Sequence, residues 1–315
     1  MKKMLVGLFA VACMGTAFAA PAQKAVAAKT KAPTGKVDIV IVESEEYDAG
    51  KEDKMLTEGL SRFLEAKPVV THVAFSQVGK DAKLSGLDYS FLPLYLVKKT
   101  PAIRAKFVEP LQQGYVQETD DFVVLARQTR QGVYQDKVSQ KGVMEVFVMS
   151  QCPYGVRAED LIIQAKKNGQ FPKDKTVKIR YIVNYDPARG FSSLHGSGEW
   201  EENVRQLLIA KYYPKQFWKY LEIRNKDYRS SRWDKAMEDA GINVSKIMKK
   251  FDTEGLELLK QEANYAKEYG ISASPSLLWE GKVKMGLDKA AEVEGFGFFI
   301  PRNPSGAAPA VAGSC

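Results

Sequence analysis

The chain has 315 residues, 45% hydrophobic and 27% charged, with a formal net charge of +8. That length suits about two domains, and that balance belongs to a folded protein rather than a disordered one. Beyond the N-terminal segment no apolar run reaches about 18 residues, which excludes a membrane-spanning helix. The lysines and arginines are scattered, so the surplus charge reads as solubility and not as a nucleic-acid face.

Residues 1–19 read as a targeting segment. Lys2 and Lys3 form a basic start, Met4 to Cys13 a short apolar core, and Ala17-Phe18-Ala19 a small-x-small cleavage site. A lipoprotein cut before Cys13 fits less well, because Ala10 stands where a leucine is usual. Cleavage after Ala19 removes Lys2 and Lys3 and no acid, which lowers the formal charge from +8 to +6. It also removes one of the three cysteines, leaving Cys152 and Cys315. The expected location is periplasmic or secreted, an oxidising compartment. Two cysteines are too few for a disulfide scaffold; they are either incidental or chemistry.

Residues 20–36 (APAQKAVAAKTKAPTGK) lack apolar periodicity and read as a flexible leader, and residues 301–315 (PRNPSGAAPAVAGSC) as a flexible tail ending in Cys315. Between them two segments share an order of elements, expected as domains at 37–138 and 139–300. In the first, VDIVIVES (37–44) predicts a strand. DKMLTEGLSRFLEA (53–66) predicts an amphipathic helix with Met55, Leu56, Leu60, Phe63 and Leu64 on its apolar face. Strands are expected at 69–76, at 90–99 with Pro93 inside it, and at 122–128, with one helix over 100–114 starting at a Thr-Pro cap.

The second segment predicts a strand at VMEVFVMS (143–150), a helix over 152–169 closed by Gly169, and a strand over 176–185. A long helical stretch from about Glu199 to Tyr269 follows, inside an insertion placed at about 190–268. ISASPSLLWEGKVKMG then predicts two strands joined at Glu280-Gly281, and LDKAAEVEGF a last helix. Strand–helix–strand, a helical excursion, a hairpin and a closing helix make an α/β plan.

Cys152 ends the first strand of this plan and caps its helix, with Pro153 at the first helical position, where a missing N–H costs nothing. The first-turn N–H groups and the helix dipole favour a thiolate there and lower the thiol pKa. Such a sulfur is both a nucleophile and a leaving group; a free cysteine without such a cap is more often a small buried hydrophobe. Ser274-Pro275 lies at a strand entry, where a proline breaks the ladder and needs a reason.

FVMSQCPYG followed by ANYAKEYGISASPSLLWEGK resembles the thioredoxin superfamily, in its DsbA-like branch of bacterial periplasmic thiol oxidoreductases, over about residues 140–298. SLHGSGEWEENVRQLL is similar to the lysosomal thiol reductase signature, with Ser193, Trp200 and Leu208 where that family has cysteines. The resemblance implies a thioredoxin-like α/β fold with a helical insertion, and a cis proline at Pro275 lying against the sulfur of Cys152. The first segment resembles a second, smaller and degenerate thioredoxin-like domain, with Pro93 at the cis-proline place and ESEEYDAGKED, which has no cysteine, at its strand–helix junction. It is expected to bind substrate or a partner, or to form a homodimer interface.

The family's second cysteine is replaced by Gly155, and its usual threonine by Ser274. A dithiol within Cys152-Pro153-Tyr154-Gly155 is therefore excluded, which leaves monothiol exchange or isomerisation by Cys152 acting as nucleophile. Cys315 is the candidate resolving thiol. A flexible chain of about 14 residues spans roughly 20 Å root mean square and about 45 Å at full reach. The tethered thiol's effective concentration is about 1 mM.

Three readings stay open: a thiol–disulfide oxidoreductase or isomerase centred on Cys152, a redox-silent thioredoxin-like binding or chaperone protein, and a thiol that senses oxidants as a sulfenic acid. The expected partners are protein or peptide thiols and disulfides and a redox partner protein, with no nucleic acid, no stable membrane insertion, no cofactor and no metal. Of the two histidines, His72 reads as structural in its strand and His195 as a satisfied loop residue, with a place near the site as the alternative. Glu43, Glu45, Glu46 and Asp48 read as a solvated loop, with a cation or partner site as the alternative, and Arg157 and Glu159 as residues that tune Cys152 along its helix.

Overall fold

A computed structural model describes residues 35–126, 129–300 and 314–315. The targeting segment and most of the leader and tail lie outside these residues. The chain divides into two compact units, Met1–Asp136 and Lys137–Cys315.

In the first unit, β1 (Gly35–Glu43) leads through α1 (Lys54–Leu64) to β2 (Ala66–Ala74). A stretch of 3-10 turns precedes β3 (Phe91–Leu92) and β4 (Leu94–Lys98). Then come α2 (Pro101–Lys106), α3 (Val108–Gln112), β5 (Gln117–Glu118), β6 (Phe122–Leu125) and β7 (Gly132–Tyr134). The sheet order is β2-β1-β4-β6-β5, with β1 and β2 parallel and the β1–β4, β4–β6 and β5–β6 pairs antiparallel.

Period-two alternation sorts the strands' side chains between two cores. Ile39, Ile41, Tyr95 and Val97 pack with Leu60 and Leu64 of α1, while Val42, Leu94 and Leu96 pack with Val78 and Leu84 on the other face. Met55, expected on the apolar face of α1, is instead 59% exposed; it sits at the second position of the helix, before the apolar stripe meets the sheet. The helix expected over 100–114 is two helices broken at Phe107. Pro110 explains the break: its ring would strike the Lys106 carbonyl in a continuous helix and its nitrogen has no hydrogen to donate. Buried Phe107 packs instead on Phe63, ring centroids 5.2 Å apart.

The second unit runs β8 (Val143–Val148), α4 (Pro153–Lys167) and β9 (Thr176–Tyr181), with β8 and β9 parallel. The strand expected to reach residue 185 stops at Tyr181, and residues beyond it pair locally as β10 (Asn184–Asp186) and β11 (Gly190–Ser192). The helical excursion is five helices: α5 (Ser197–Tyr212), α6 (Phe217–Arg224), α7 (Trp233–Ala240), α8 (Val244–Met248) and α9 (Leu256–Glu268), the last entered through a π turn at Phe251–Gly255. Their core gathers Val204, Leu208, Tyr220, Leu221, Met237 and Leu259.

The hairpin β12 (Ser276–Trp279) and β13 (Val283–Met285) follows, with Glu280 and Gly281 both at positive φ (53° and 68°) in its turn. That conformation is why glycine suits the second turn position. Strand β12 pairs antiparallel with β8. The last helix, α10, is a single turn, Leu287–Ala290. The second unit is thus the thioredoxin-like α/β plan, a parallel βαβ followed by an antiparallel hairpin and a helix, with a helical insertion.

One ion network ties the end of the insertion to the sheet. Glu145 of β8 accepts from Arg180 of β9 at 2.8 Å and from the Tyr265 hydroxyl of α9 at 2.7 Å, and Arg180 also donates to Glu262 of α9 at 2.8 Å. Buried charges require such full pairing. The network sets where α9 delivers the chain to β12, and so where Pro275 lies.

Candidate active site

After β8 the chain turns through residues 149–152 into α4. Cys152 is the N-cap, in extended backbone, and its side chain makes no capping hydrogen bond. Pro153 is the first helical residue and is exposed; Tyr154 is 38% exposed. The 15-residue helix, uncapped by a side chain, directs its positive end at the Cys152 sulfur.

Gly155 is not an open position awaiting a side chain. A Cβ there would lie 2.5 Å from Ser274 Oγ and 3.2 Å from both the Met149 carbonyl oxygen and the Val148 Cβ. The helix is pressed against Ser274, whose Oγ accepts the Met149 N–H at 2.9 Å.

The Ser274–Pro275 peptide is cis, and both residues are buried. Ser274 joins the two cysteines. Its carbonyl oxygen lies 3.5 Å from Cys152 Sγ and accepts the Cys315 N–H at 2.9 Å, and its own N–H donates to the Cys315 carbonyl at 3.2 Å. The reciprocal pair is an antiparallel bridge of the kind that adds a strand to a sheet edge. The two sulfurs are bonded: Cys152 and Cys315 form a disulfide across 163 residues of sequence, with Cα atoms 6.2 Å apart. The structure thus gathers Cys152, Pro153, Tyr154, Gly155, Ser274, Pro275 and Cys315 at one place.

The loop that presents Cys152 is held by α5. The buried Glu199 carboxylate accepts the Gln151 N–H at 3.1 Å and the His195 N–H at 3.3 Å, and lies 2.7 Å from His195 Nδ1. Asn203 Oδ1 accepts the Ser150 N–H at 3.4 Å, and Ser150 Oγ donates to the Glu199 carbonyl at 3.1 Å. Sequence reasoning misses Glu199 and Asn203; His195 lies in a turn before α5, hydrogen-bonded to Glu199. The available signal is spacing: Glu199 and Asn203 lie four residues apart on one face of α5.

Two turns into α4, Glu159 is buried with both carboxylate oxygens lacking a hydrogen-bond partner; the neighbouring Asn225 amide donates to Asp160 instead, at 3.0 Å. Burial pushes the Glu159 carboxyl up to about 8, with Asp160 and Glu202 adding to the rise against a smaller opposing effect from Asn225. Arg157, its neighbour on the helix, is exposed.

The corresponding junction of the first unit carries no comparable sulfur. Asp53 caps α1, its carboxylate accepting from the Met55 and Leu56 N–H groups at 3.0 and 3.2 Å. Glu43 accepts the Glu52 N–H at 2.7 Å and contacts His72 Nδ1 at 3.1 Å; Glu45 accepts twice from Ser76. The Leu92–Pro93 peptide is cis. Among the described residues no group of three or more His, Cys, Asp or Glu could hold a metal ion, and no helix is long and apolar enough to cross a membrane.

No protein-family model matches the chain, and no curated protein matches it. Several solved structures are similar to it in part. A DsbA disulfide interchange protein from Klebsiella pneumoniae shares 15% identity over 55% of this chain and 91% of its own, with a TM-score of 0.37. ScsC from Proteus mirabilis shares 19% over 47% of this chain and 62% of its own, with a TM-score of 0.36. Oxidised BdbD from Bacillus subtilis shares 17% over 45% of this chain and 77% of its own, with a TM-score of 0.35.

Proposed function

We propose that the protein is an exported thiol–disulfide exchange protein whose redox couple is Cys152 with Cys315. The observation that carries this reading is the disulfide itself, made between the N-cap cysteine of α4 and a tail cysteine bridged to Ser274 beside a cis proline. Gly155 removes the local dithiol, and Cys315 takes its place from the far end of the chain. In one cycle the disulfide accepts two electrons from two substrate thiols, which become a disulfide, while Cys152 and Cys315 become thiols; the reverse cycle reduces a substrate disulfide. Isomerisation is the case in which a substrate thiol displaces the protein before its own second thiol does. The substrates are protein or peptide thiols and disulfides.

The first unit is a degenerate thioredoxin-like domain in this reading, supported by its parallel βαβ, its antiparallel third strand and its cis Pro93. It serves to bind substrate or partner. Export rests on residues 1–19, and the compartment is the periplasm or the exterior.

Full burial of Cys152 favours one alternative, a binding protein whose tail is stapled down by an inert disulfide. Exchange kinetics separate the two. With a fluorogenic disulfide peptide and glutathione, the parent protein turns over; Cys152→Ala and Cys315→Ala each lose turnover, and Cys315→Ala accumulates a mixed disulfide on Cys152. A parent protein no faster than Cys152→Ala would leave the stapled binding protein as the better account.

A further inference from the structure

The two residues of the disulfide differ in exposure. Cys152 has none of its surface exposed, whereas Cys315 is only partly buried. A thiolate breaks a disulfide by attacking one sulfur along the bond axis, from the side opposite the sulfur that leaves, and access decides which sulfur is attacked. An attack on Cys152 would come from the side away from Cys315, and none of Cys152 is exposed to solvent. An attack on Cys315 comes from the side away from Cys152, at a residue that is only partly buried.

The leaving groups point the same way. Cys152 departs as a thiolate at the uncapped N-terminus of a 15-residue helix, which stabilises negative charge. A sulfur whose thiolate is stabilised leaves faster. Nothing comparable stabilises Cys315 among the described residues: its backbone N–H is committed to the Ser274 carbonyl.

Resting on the reading of this bond as a redox couple, we infer that an incoming thiol attacks Cys315 and expels Cys152. An incoming thiolate RS⁻ bonds to Cys315 Sγ as the bond between Cys315 and Cys152 breaks, giving a mixed disulfide on the tail and a Cys152 thiolate. A second thiolate then attacks the R sulfur, forming RSSR and releasing Cys315 as a thiolate. Two electrons pass from the two thiols to the two cysteines, and the protons lost by the thiols are taken up from solvent by Cys152 and Cys315 according to their pKa values. In the oxidised protein this exchanges the roles expected from sequence: the helix cysteine is the resolving thiol and the tail cysteine carries the cargo.

The test uses the oxidised full-length protein and glutathione. The two are mixed, quenched with acid over a series of early times, alkylated with N-ethylmaleimide, digested without reduction and sequenced by mass spectrometry. The earliest adduct is expected as glutathione on the Cys315 peptide with N-ethylmaleimide on the Cys152 peptide of the same molecule. Glutathione found first on Cys152, with Cys315 alkylated, overturns the inference and leaves the redox couple standing. A disulfide that never opens in excess glutathione overturns both.

Discussion

Helices α1 and α4 each leave a strand that pairs in parallel with the next one, and each of those strands pairs antiparallel with a strand entered through a cis proline, Pro93 or Pro275. Position by position their starts diverge. The N-cap is Asp53 in one and Cys152 in the other. Three places on, half-buried Leu56 corresponds to Gly155, pressed against Ser274; seven places on, buried Leu60 corresponds to buried Glu159. The residue before the cis proline is Leu92 in one and Ser274 in the other. The lesson lies in what the cap does with the helix's positive end. Asp53 satisfies it internally, with two N–H groups donated to its carboxylate. Cys152 makes no such bond and leaves it to act on a sulfur.

Substitutions at these positions sharpen the contrast. The largest effect belongs to Glu159. Its carboxyl titrates at about 8 when folded, against an ordinary glutamate value of 4.5. Between those values the folded state holds a proton that the unfolded state has lost, so stability is highest below about pH 5 and falls as pH rises toward 8. The slope is about 1.4 kcal/mol per pH unit at most, or on the order of 3 kcal/mol over the window. Urea unfolding of the parent and Glu159→Gln between pH 5 and pH 8 is expected to show that extra slope in the parent only; parallel curves would mean that the carboxyl is ionised when buried.

Next is Gly155→Ala. The added methyl forces Ser274 Oγ off the Met149 N–H, and overpacking of this kind costs about 1–3 kcal/mol. The corresponding Leu56→Ala in the first unit trims a half-buried apolar side chain and leaves the Asp53 cap on the Leu56 N–H in place. The denaturant midpoint checks the cost, and disulfide exchange by Gly155→Ala is expected to change as well because Ser274 contacts both cysteines. An unaltered midpoint would mean that α4 has room to withdraw from Ser274.

The smallest effect is Asp53→Ala, which removes a helix cap worth about 1 kcal/mol and leaves thiol exchange at the parent rate. A loss of exchange in this variant would show that the first unit's junction takes part in the chemistry.

Much of the fold is legible in local signals. Alternating β-branched residues in VDIVIVES and the Cys-Pro pair after VMEVFVMS place the two βα junctions, and Glu280-Gly281 places the hairpin. What escapes is set by contacts between distant residues. Gly155 reads in sequence as a missing cysteine, and only the approach of Ser274, well over a hundred residues away, shows that no side chain fits. Glu199 and Asn203 have a legible helical spacing, but the Ser150 and Gln151 N–H groups they hold lie about 50 residues earlier. The reach of the tail follows from its length, yet its register against Ser274 does not, since a Gly/Ala/Pro/Ser segment has no periodicity to align.

The central claim is that the bond between Cys152 and Cys315 opens and closes under physiological thiols. Equilibrating the protein across a series of reduced-to-oxidised glutathione ratios, quenching with acid and counting alkylated cysteines by mass tests it directly. The account predicts that Cys152 and Cys315 become thiols together, in one two-electron transition inside that range, and return to the disulfide as the ratio is reversed. A bond that stays closed at every ratio would be an inert staple and would contradict it.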